Sequence, residues 1–329
     1  MPSKQTPIHS GFGPTTTARE VLAGIDLSGK VAVVTGGYAG IGLETTRALT
    51  EVGATVIVPA RTPDKARQAL SGNSRVEQGR MDLLDPSSID SFSSEFLSSG
   101  RPLHMLINNA GIMATPLIRD ARGYESQFSA NHLGHFQLTL RLLPALRNAQ
   151  GARVVSLSSR GHQRASIDFD DPQFERRPYD RWKAYGQSKT ANVLFAVELD
   201  RRGNENGIRA FAAHPGAVVT DLGRHMTEDE LKQYGLSRGL NPGFVPAGKS
   251  VAEGGDFKTL EQGAATSVWC ATSPQLAGMG GVYCQDVDIA PILPRDSTSN
   301  VGVRSYATDP RAAERLWLLS ERLTGVKFE

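Results

Sequence analysis

One stretch constrains this chain more than any other. Val31-Ala-Val-Val34 runs directly into Thr35-Gly36-Gly37-Tyr38-Ala39-Gly40-Ile41-Gly42, and a helical pattern, LETTRALTEVG, follows. The β-branched run reads as a buried strand. Glycines at 36, 40 and 42 allow a tight turn, close approach of backbone to a pyrophosphate, and tight packing of helix on strand. The strand before the turn and the helix after it are the context that a dinucleotide site requires. The spacing is G-x-x-x-G-x-G rather than the commoner G-x-G-x-x-G.

The rhythm continues along the chain. Apolar runs recur at 54–60, 76–82, 103–110, 153–159, 208–214 and 281–284, separated by segments long enough for crossover helices. Continuous apolar strands alternating with helices predict a parallel sheet covered on both faces. The fold class is therefore α/β: a single doubly wound Rossmann domain with a seven-stranded parallel sheet in the order 3-2-1-4-5-6-7 and helices on both faces. Residues 1–28 form an N-terminal extension, in which Thr17-Ala-Arg-Glu20 has the form of a capping box and opens a short helix through Leu22. The domain spans 29–329, with insertions at 160–181 and 217–257 and an amphipathic helix near 309–323 that offers Leu316, Leu318, Leu319 and Leu323 for burial. The 217–257 stretch is rich in glycine, charge and turn residues with little strand pattern, and reads as a loop or helical flap.

Composition removes several function classes. With 36 Lys+Arg against 34 Asp+Glu, the net charge of +2 leaves no basic stripe, so no nucleic-acid partner is expected. Cys270 and Cys284 are too few for a disulfide framework, and the first 28 residues hold no apolar stretch of signal-peptide length; a cytoplasmic location is expected. No window reaches the length of a membrane span, so no membrane partner is expected either. His132 and His135 stand three apart with His104 upstream, but no acid or thiolate is spaced to complete a zinc site, and no metal is expected.

About 20 positions beyond a dinucleotide turn, the end of the second strand reads the adenine ribose. Here it is Pro59-Ala60-Arg61-Thr62, with no carboxylate to hold both hydroxyls. Arg61 offers a planar cation suited to a 2′-phosphate, which favours NADP(H); if Arg61 only stacks on adenine, NAD(H) serves as well. Tyr185 and Lys189 fall four apart on a helical stretch, so phenol and ammonium share a face and the ammonium favours the phenolate.

These motifs, TGGYAGIG, NNAG at 108–111, NHLGHF at 131–136, SLSS at 156–159, YGQSK at 185–189 and HPG at 214–216, stand in the order of a short-chain dehydrogenase/reductase, and the chain resembles that superfamily over about residues 15 to 290. It is similar to the retinol dehydrogenase and WW-domain oxidoreductase-like branch through its TAREVLAGIDLSGK lead-in, the PAR at the end of strand two and SKTANVLF after Tyr185. The resemblance implies an NADP(H)-dependent oxidoreductase acting on a carbonyl or secondary alcohol, with Tyr185 as proton donor or acceptor. Lys189 would support Tyr185 and hold the nicotinamide ribose, Ser159 would orient the substrate oxygen, and Asn131 would hold a relay water near Lys189. Gly36, Tyr38, Ala39, Gly40, Ile41 and Gly42 would cradle the cofactor. Asp82, with Leu83 beside it, would cap the adenine; Asn109, Ala110 and Gly111 would pass under its ribose. Pro215, Gly216, Val218 and Thr220 would fix the carboxamide.

Alternatives stay open at three positions: Asp82 as a turn cap, Asn131 as a helix cap or kink, and Ser158 in place of Ser159. The insertion after Ser159 is longer than the family's common pattern and leaves the shape of the substrate mouth undefined; the flap, with Met226, Leu231, Tyr234, Leu236, Phe244 and Val245, and the insertion at 160–181 are expected to form its wall. The resemblance also implies a homodimer or homotetramer on the helices that begin near Asn131 and Tyr185, unless the extension and the C-terminal helix cap that surface. The competing function is a catalytically silent NADP(H)-binding sensor or scaffold; Asn131, Ser159, Tyr185 and Lys189 together argue for the enzyme.

Overall fold

The computed structural model describes residues 5–233, 236–238, 244–246 and 257–329, with side chains at 5–232 and 257–329. Its sheet is made of β1 (Val31–Val34), β2 (Thr55–Ala60), β3 (Val76–Arg80), β4 (Met105–Asn108), β5 (Ala152–Leu157), β6 (Ile208–His214), β7 (Val282–Gln285) and β8 (Asp288–Ile289). The first seven are parallel in the expected order 3-2-1-4-5-6-7. The sheet is eight-stranded rather than seven, because β7 turns back at Asp286 and Val287 and adds β8 antiparallel at the edge.

The principal helices are α1 (Ala18–Val21), α2 (Gly40–Glu51), α3 (Pro63–Ala69), α4 (Pro86–Ser98), α5 (Gly134–Arg141), α6 (Arg181–Gly203), α7 (Leu260–Thr272) and α8 (Pro310–Thr324). Strand alternation divides the core between them. Ala32, Val34, Val56, Val58, Ile107 and Phe211 face α2 and α7, whereas Val33, Ile57, Leu106, Val154 and Ala210 face α4, α5 and α6. Cys270 and Cys284 are both buried free thiols in the first of these cores.

Both ends of the described chain are fastened down. Thr17 and Glu20 form the capping box of α1, and Gln5 inserts at the sheet edge, donating to Tyr283 O (2.7 Å) and accepting from Tyr283 N (2.8 Å). The Asp288 carboxylate accepts from Ile8 N and His9 N, both at 3.0 Å, so the extension covers an edge that would otherwise template pairing. At the other end Asp309 caps α8, which lies along α6 and α5: Trp317 stacks on Phe195 (centroids 5.9 Å apart) and meets Phe136 edge-on. The expected leucine stripe is shifted in detail, since Leu318 is 55% exposed and Trp317 fills the core position instead.

The flap carries more strand than its sequence suggested. Ala217–Val218 pairs in parallel with Phe257–Lys258, Leu236–Arg238 pairs antiparallel with Phe244–Pro246, and Glu228–Gln233 is helical. Met226 and Leu231 are buried; Tyr234 and the side chains of Leu236, Phe244 and Val245 lie outside the described residues. Among the described residues no helix is long and apolar enough to cross a membrane.

Candidate active site

The strand order reverses at β1, between β2 and β4, and in such sheets ligands settle in the crevice this opens at the carboxyl ends of the strands. The turn after β1 fits a dinucleotide. Gly36 and Gly40 have φ of +66° and +51°, and a Cβ on Gly42 would run into the Gly36 carbonyl and the Asn109 amide. Ala39 is the N-cap of α2 but gives no side-chain cap, and the first turn holds no acid, which leaves its N–H groups for an anion. Tyr38 and Ile41 pack partly on the core. A Cβ on Gly263 would stand 2.7 Å from Val218 and 3.3 Å from Ile41, so these two side chains meet over α7. Thr220 closes on the turn from the other side, its methyl 3.2 Å from where a Cβ on Gly40 would be.

Thr35, which the motif reading passed over, joins this turn to the next loop. Its Oγ1 accepts from Asn109 N (2.9 Å) and Ala110 N (3.0 Å) and lies 2.9 Å from His135 Nε2, while Asn109 Nδ2 donates to Thr35 O (2.8 Å). Asn131 extends the connection. It sits in a π-helical turn, Ser129–Leu133, between Ser126–Phe128 and α5; such turns are frequent at functional positions. Its Oδ1 accepts from Ile112 N, and its Nδ2 donates to Ile112 O and Ser188 Oγ, each at 2.9 Å. The side chain therefore holds the loop after β4 against α6.

On α6, Asp180 caps the first turn and sets where Tyr185 and Lys189 fall. Lys189 Nζ lies 5.6 Å from the centre of the Tyr185 ring and donates to Leu157 O (3.0 Å). Burial pushes its ammonium down to about 8. A Cβ on Gly111 would be 3.5 Å from that nitrogen and 3.1 Å from Asn131 Oδ1, which brings the loop, Asn131 and Lys189 to one point. The two serines part as strand alternation requires. Ser158 Oγ donates to Lys189 O (2.8 Å), whereas Ser159 Oγ accepts from Gly161 N (3.0 Å). A Cβ on Gly161 would be 2.7 Å from Tyr185 Cε1 and 3.4 Å from Ser159 Oγ, so the geometry puts Ser159, not Ser158, beside the phenol.

Of the outer positions, Arg61 is exposed just beyond β2, and Arg80, which no motif marked, pairs with Ala60 across the ladder. Neither makes a side-chain hydrogen bond or ion pair among the described residues. Asp82 Oδ1 accepts from Leu84 N (3.0 Å), the turn-capping geometry, and Leu83 packs partly on the second core with its carbonyl against Gly134. After Pro215, Gly216 (φ +86°) lies under the Lys258 side chain, whose Nζ is 2.5 Å from Asp286 Oδ1.

A cleft opens around the start of α6. Trp182 meets Tyr185 edge-on at 6.5 Å, and Glu230 of the flap accepts from Trp182 Nε1 (2.7 Å) and Arg181 Nη2 (2.6 Å). Pro116, Tyr179, Asp180, Arg181 and Trp182 line a cleft of 380 Å³. The histidines weighed as ligands are tied to protein partners: His132 Nε2 to Ser320 Oγ (2.7 Å), His135 to Asn131 O and Thr35, and His104 Nδ1 to Val31 N.

The short chain dehydrogenase family profile matches residues 30–231. The chain belongs to that family, whose members are oxidoreductases using NAD(P)(H). A Streptomyces lividans protein described as a probable oxidoreductase is 43% identical over 300 residues, covering 89% of this chain and 97% of its own. Human retinol dehydrogenase 12 is 39% identical over 311 residues, covering 93% of this chain and 89% of its own. The crystal structure of an uncharacterised protein from Mycobacterium paratuberculosis superposes with a TM-score of 0.71 at 32% identity, covering 96% of this chain and 99% of the other.

Proposed function

We propose that this chain is an NADP(H)-dependent oxidoreductase that interconverts a carbonyl and a secondary alcohol on a small to medium, largely apolar substrate. The observation that carries this reading is the convergence of Ser159, Tyr185 and Lys189, with the Gly161 backbone between the serine and the phenol ring and Lys189 Nζ 5.6 Å from that ring. Bound nicotinamide supplies or accepts the hydride. Tyr185 gives its phenolic proton to the developing alkoxide in reduction and takes it back in oxidation. Ser159 Oγ, already an acceptor for Gly161 N, has its own proton to offer the substrate oxygen. Lys189, held on Leu157 O, sets a positive charge beside the phenol. Asn131 keeps the loop under the cofactor in place through Ile112 and Ser188.

Arg61 and Arg80 at the ends of β2 and β3 support the choice of NADP(H), since both are cations near the place a 2′-phosphate takes in this fold. Trp182, Pro116 and the exposed Leu117 and Ile118 around the mouth suit an apolar substrate body, as does the likeness to a retinol dehydrogenase. As α8 occupies the α5–α6 face and the N-terminal strap the sheet edge, we propose a monomer; light scattering at micromolar concentration should give a single-chain mass, and a dimer mass would restore the assembly expected from sequence. The function is tested by following nicotinamide absorbance with NADPH and NADH against aromatic, steroid-like and retinoid-like ketones. Turnover with at least one, faster with NADPH, is expected; cofactor binding without turnover across the panel would leave the silent sensor.

A further inference from the structure

The turn that carries Ser159 is held by one side chain that no motif marked. His162 ends a two-sided hydrogen-bond relay: its Nδ1 is 2.7 Å from Ser159 O, and its Nε2 is 3.2 Å from Arg304 N, a backbone donor on the short strand Val303–Arg304. An amide N–H can only donate and a carbonyl can only accept, so the ring must carry its proton on Nδ1. Ser159 O therefore takes two donors from one residue, the ring N–H and the His162 backbone N–H at 3.0 Å. The ring is fully buried and lies 4.9 Å from that of Tyr283. Burial pushes its pKa down to about 4, which keeps it neutral and the tautomer fixed at neutral pH. The His162 carbonyl is tied as well, accepting from Tyr306 Oη (2.7 Å) and from Oγ1 of Thr190 (3.1 Å), the neighbour of Lys189 on α6.

We propose that His162 is a positioning residue for the reaction: through its Nδ1–H it locks the Ser159 peptide and so aims the Ser159 hydroxyl at the oxygen that Tyr185 serves. The inference rests on the oxidoreductase reading above. The geometry is specific in that the same turn fixes Ser159 at two points. Gly161 N holds its Oγ and the His162 ring holds its carbonyl. Meanwhile the Gly161 backbone lies so close to the Tyr185 ring that a Cβ has no room. Rotation of the Ser159–Arg160 peptide would carry away Gly161 N, the donor that fixes the Ser159 hydroxyl beside the phenol, and misplacement of a catalytic group is costly to kcat rather than to cofactor binding.

Two substitutions separate this role from packing. His162→Asn keeps an amide donor where Nδ1 stands and loses the link to Arg304, whereas His162→Gln reaches the Arg304 side and loses the donor to Ser159. Both forfeit the ring against Tyr283, so lost packing is common to the pair. With a carbonyl substrate found by the panel, His162→Gln should lower kcat by at least tenfold with the KM for NADPH unchanged within twofold, and His162→Asn should stay within about threefold of the native chain. Equal kcat values for the two variants, or the reverse order, would overturn the proposal. The histidine ring nitrogens read by ¹⁵N NMR in the native chain give an answer that does not depend on turnover: Nδ1–H is expected at His162, and an Nε2–H tautomer would overturn the assignment. A native chain with no turnover on any carbonyl would instead count against the proposed function and leave the NMR result to decide this one.

Discussion

The two sides of the crevice are held together in different ways. On the cofactor side every restraint is short in space and anchored in a motif: the glycine turn after β1, Thr35 clasping Asn109 and Ala110, and Asn131 clasping Ile112. On the other side the restraints join residues that stand outside every motif. His162 leans on Arg304, and Arg181 and Trp182 lean on Glu230. The cofactor side presents backbone to a ligand common to a whole family, so residue types at fixed spacing suffice. The other side is built from the segment after Ser159 and from the flap, loops whose residues are held by partners that no fixed spacing announces.

Breaking the chemistry where the two sides meet gives the largest expected effect. Tyr185→Phe should lower kcat by about 10²–10⁴-fold, the usual worth of a positioned general acid, while NADPH affinity stays nearly intact. Retention of more than about a tenth of the activity would show that another group moves the proton. Cofactor affinity measured by fluorescence titration on the same variant separates the two sides directly.

Acid should act on both sides at once. His132, His135 and His162 are pushed by burial from 6.5 to about 3, 4 and 4, and His214 is pushed well below 6.5 by burial among His162, Lys258, Arg160 and Lys189. Folded values below unfolded ones mean that the unfolded chain binds more protons in acid. The stability these groups contribute is therefore complete above about pH 6.5 and is lost as pH falls from there towards 4, by up to about 1.4 kcal/mol per pH unit for each histidine. Urea titrations at pH 7 and pH 5 check the sign: a midpoint that fails to fall would contradict four neutral buried rings.

What the sequence disclosed follows the same division. All seven parallel strands and the order of the sheet were legible, because alternating apolar runs and a glycine turn are local signals. The antiparallel β8 was not, since two residues after a turn at Asp286 and Val287, both at positive φ without being glycine, carry no recognisable hairpin signature. Ser159, Tyr185, Lys189 and Asn131 stand in motifs of the sequence, and the fold brings their side chains together. His162 and Thr35 were not singled out, although both stand in or beside motifs, because their importance lies in which remote atoms they meet. Trp317 was overlooked for Leu318 by reading leucines rather than helix angle. Within the flap, pattern gave no hint of Ala217–Val218 pairing with Phe257–Lys258, a closure across forty residues that only the fold supplies.

Arg61→Ala sharpens the cofactor side alone. It should weaken NADPH by about 1–3 kcal/mol, the worth of a charge-assisted contact, with NADH little changed. Steady-state KM values for the two cofactors read it. A smaller but still selective loss is expected if Arg80, across the ladder from Ala60, shares the phosphate, and the double substitution would then exceed either single one. Equal effects on NADPH and NADH would remove Arg61 from the phosphate altogether.

The smallest effect belongs to the mouth. Glu230 joins the flap to the first turn of α6 through Arg181 and Trp182, three residues ahead of Tyr185, and it also caps its own helix by accepting from Thr227 N at 2.7 Å. Glu230→Gln keeps the shape and one acceptor but removes the charge that Arg181 faces. The pair is only partly buried, so its loss should cost about 1 kcal/mol or less. If the flap is a substrate wall and nothing more, that cost appears as a few-fold rise in the KM of the carbonyl substrate, with kcat and the KM for NADPH unchanged. A fall in kcat of the same size would mean that the latch reaches Tyr185 through Trp182, and the two sides of the crevice would then be less independent than their restraints suggest.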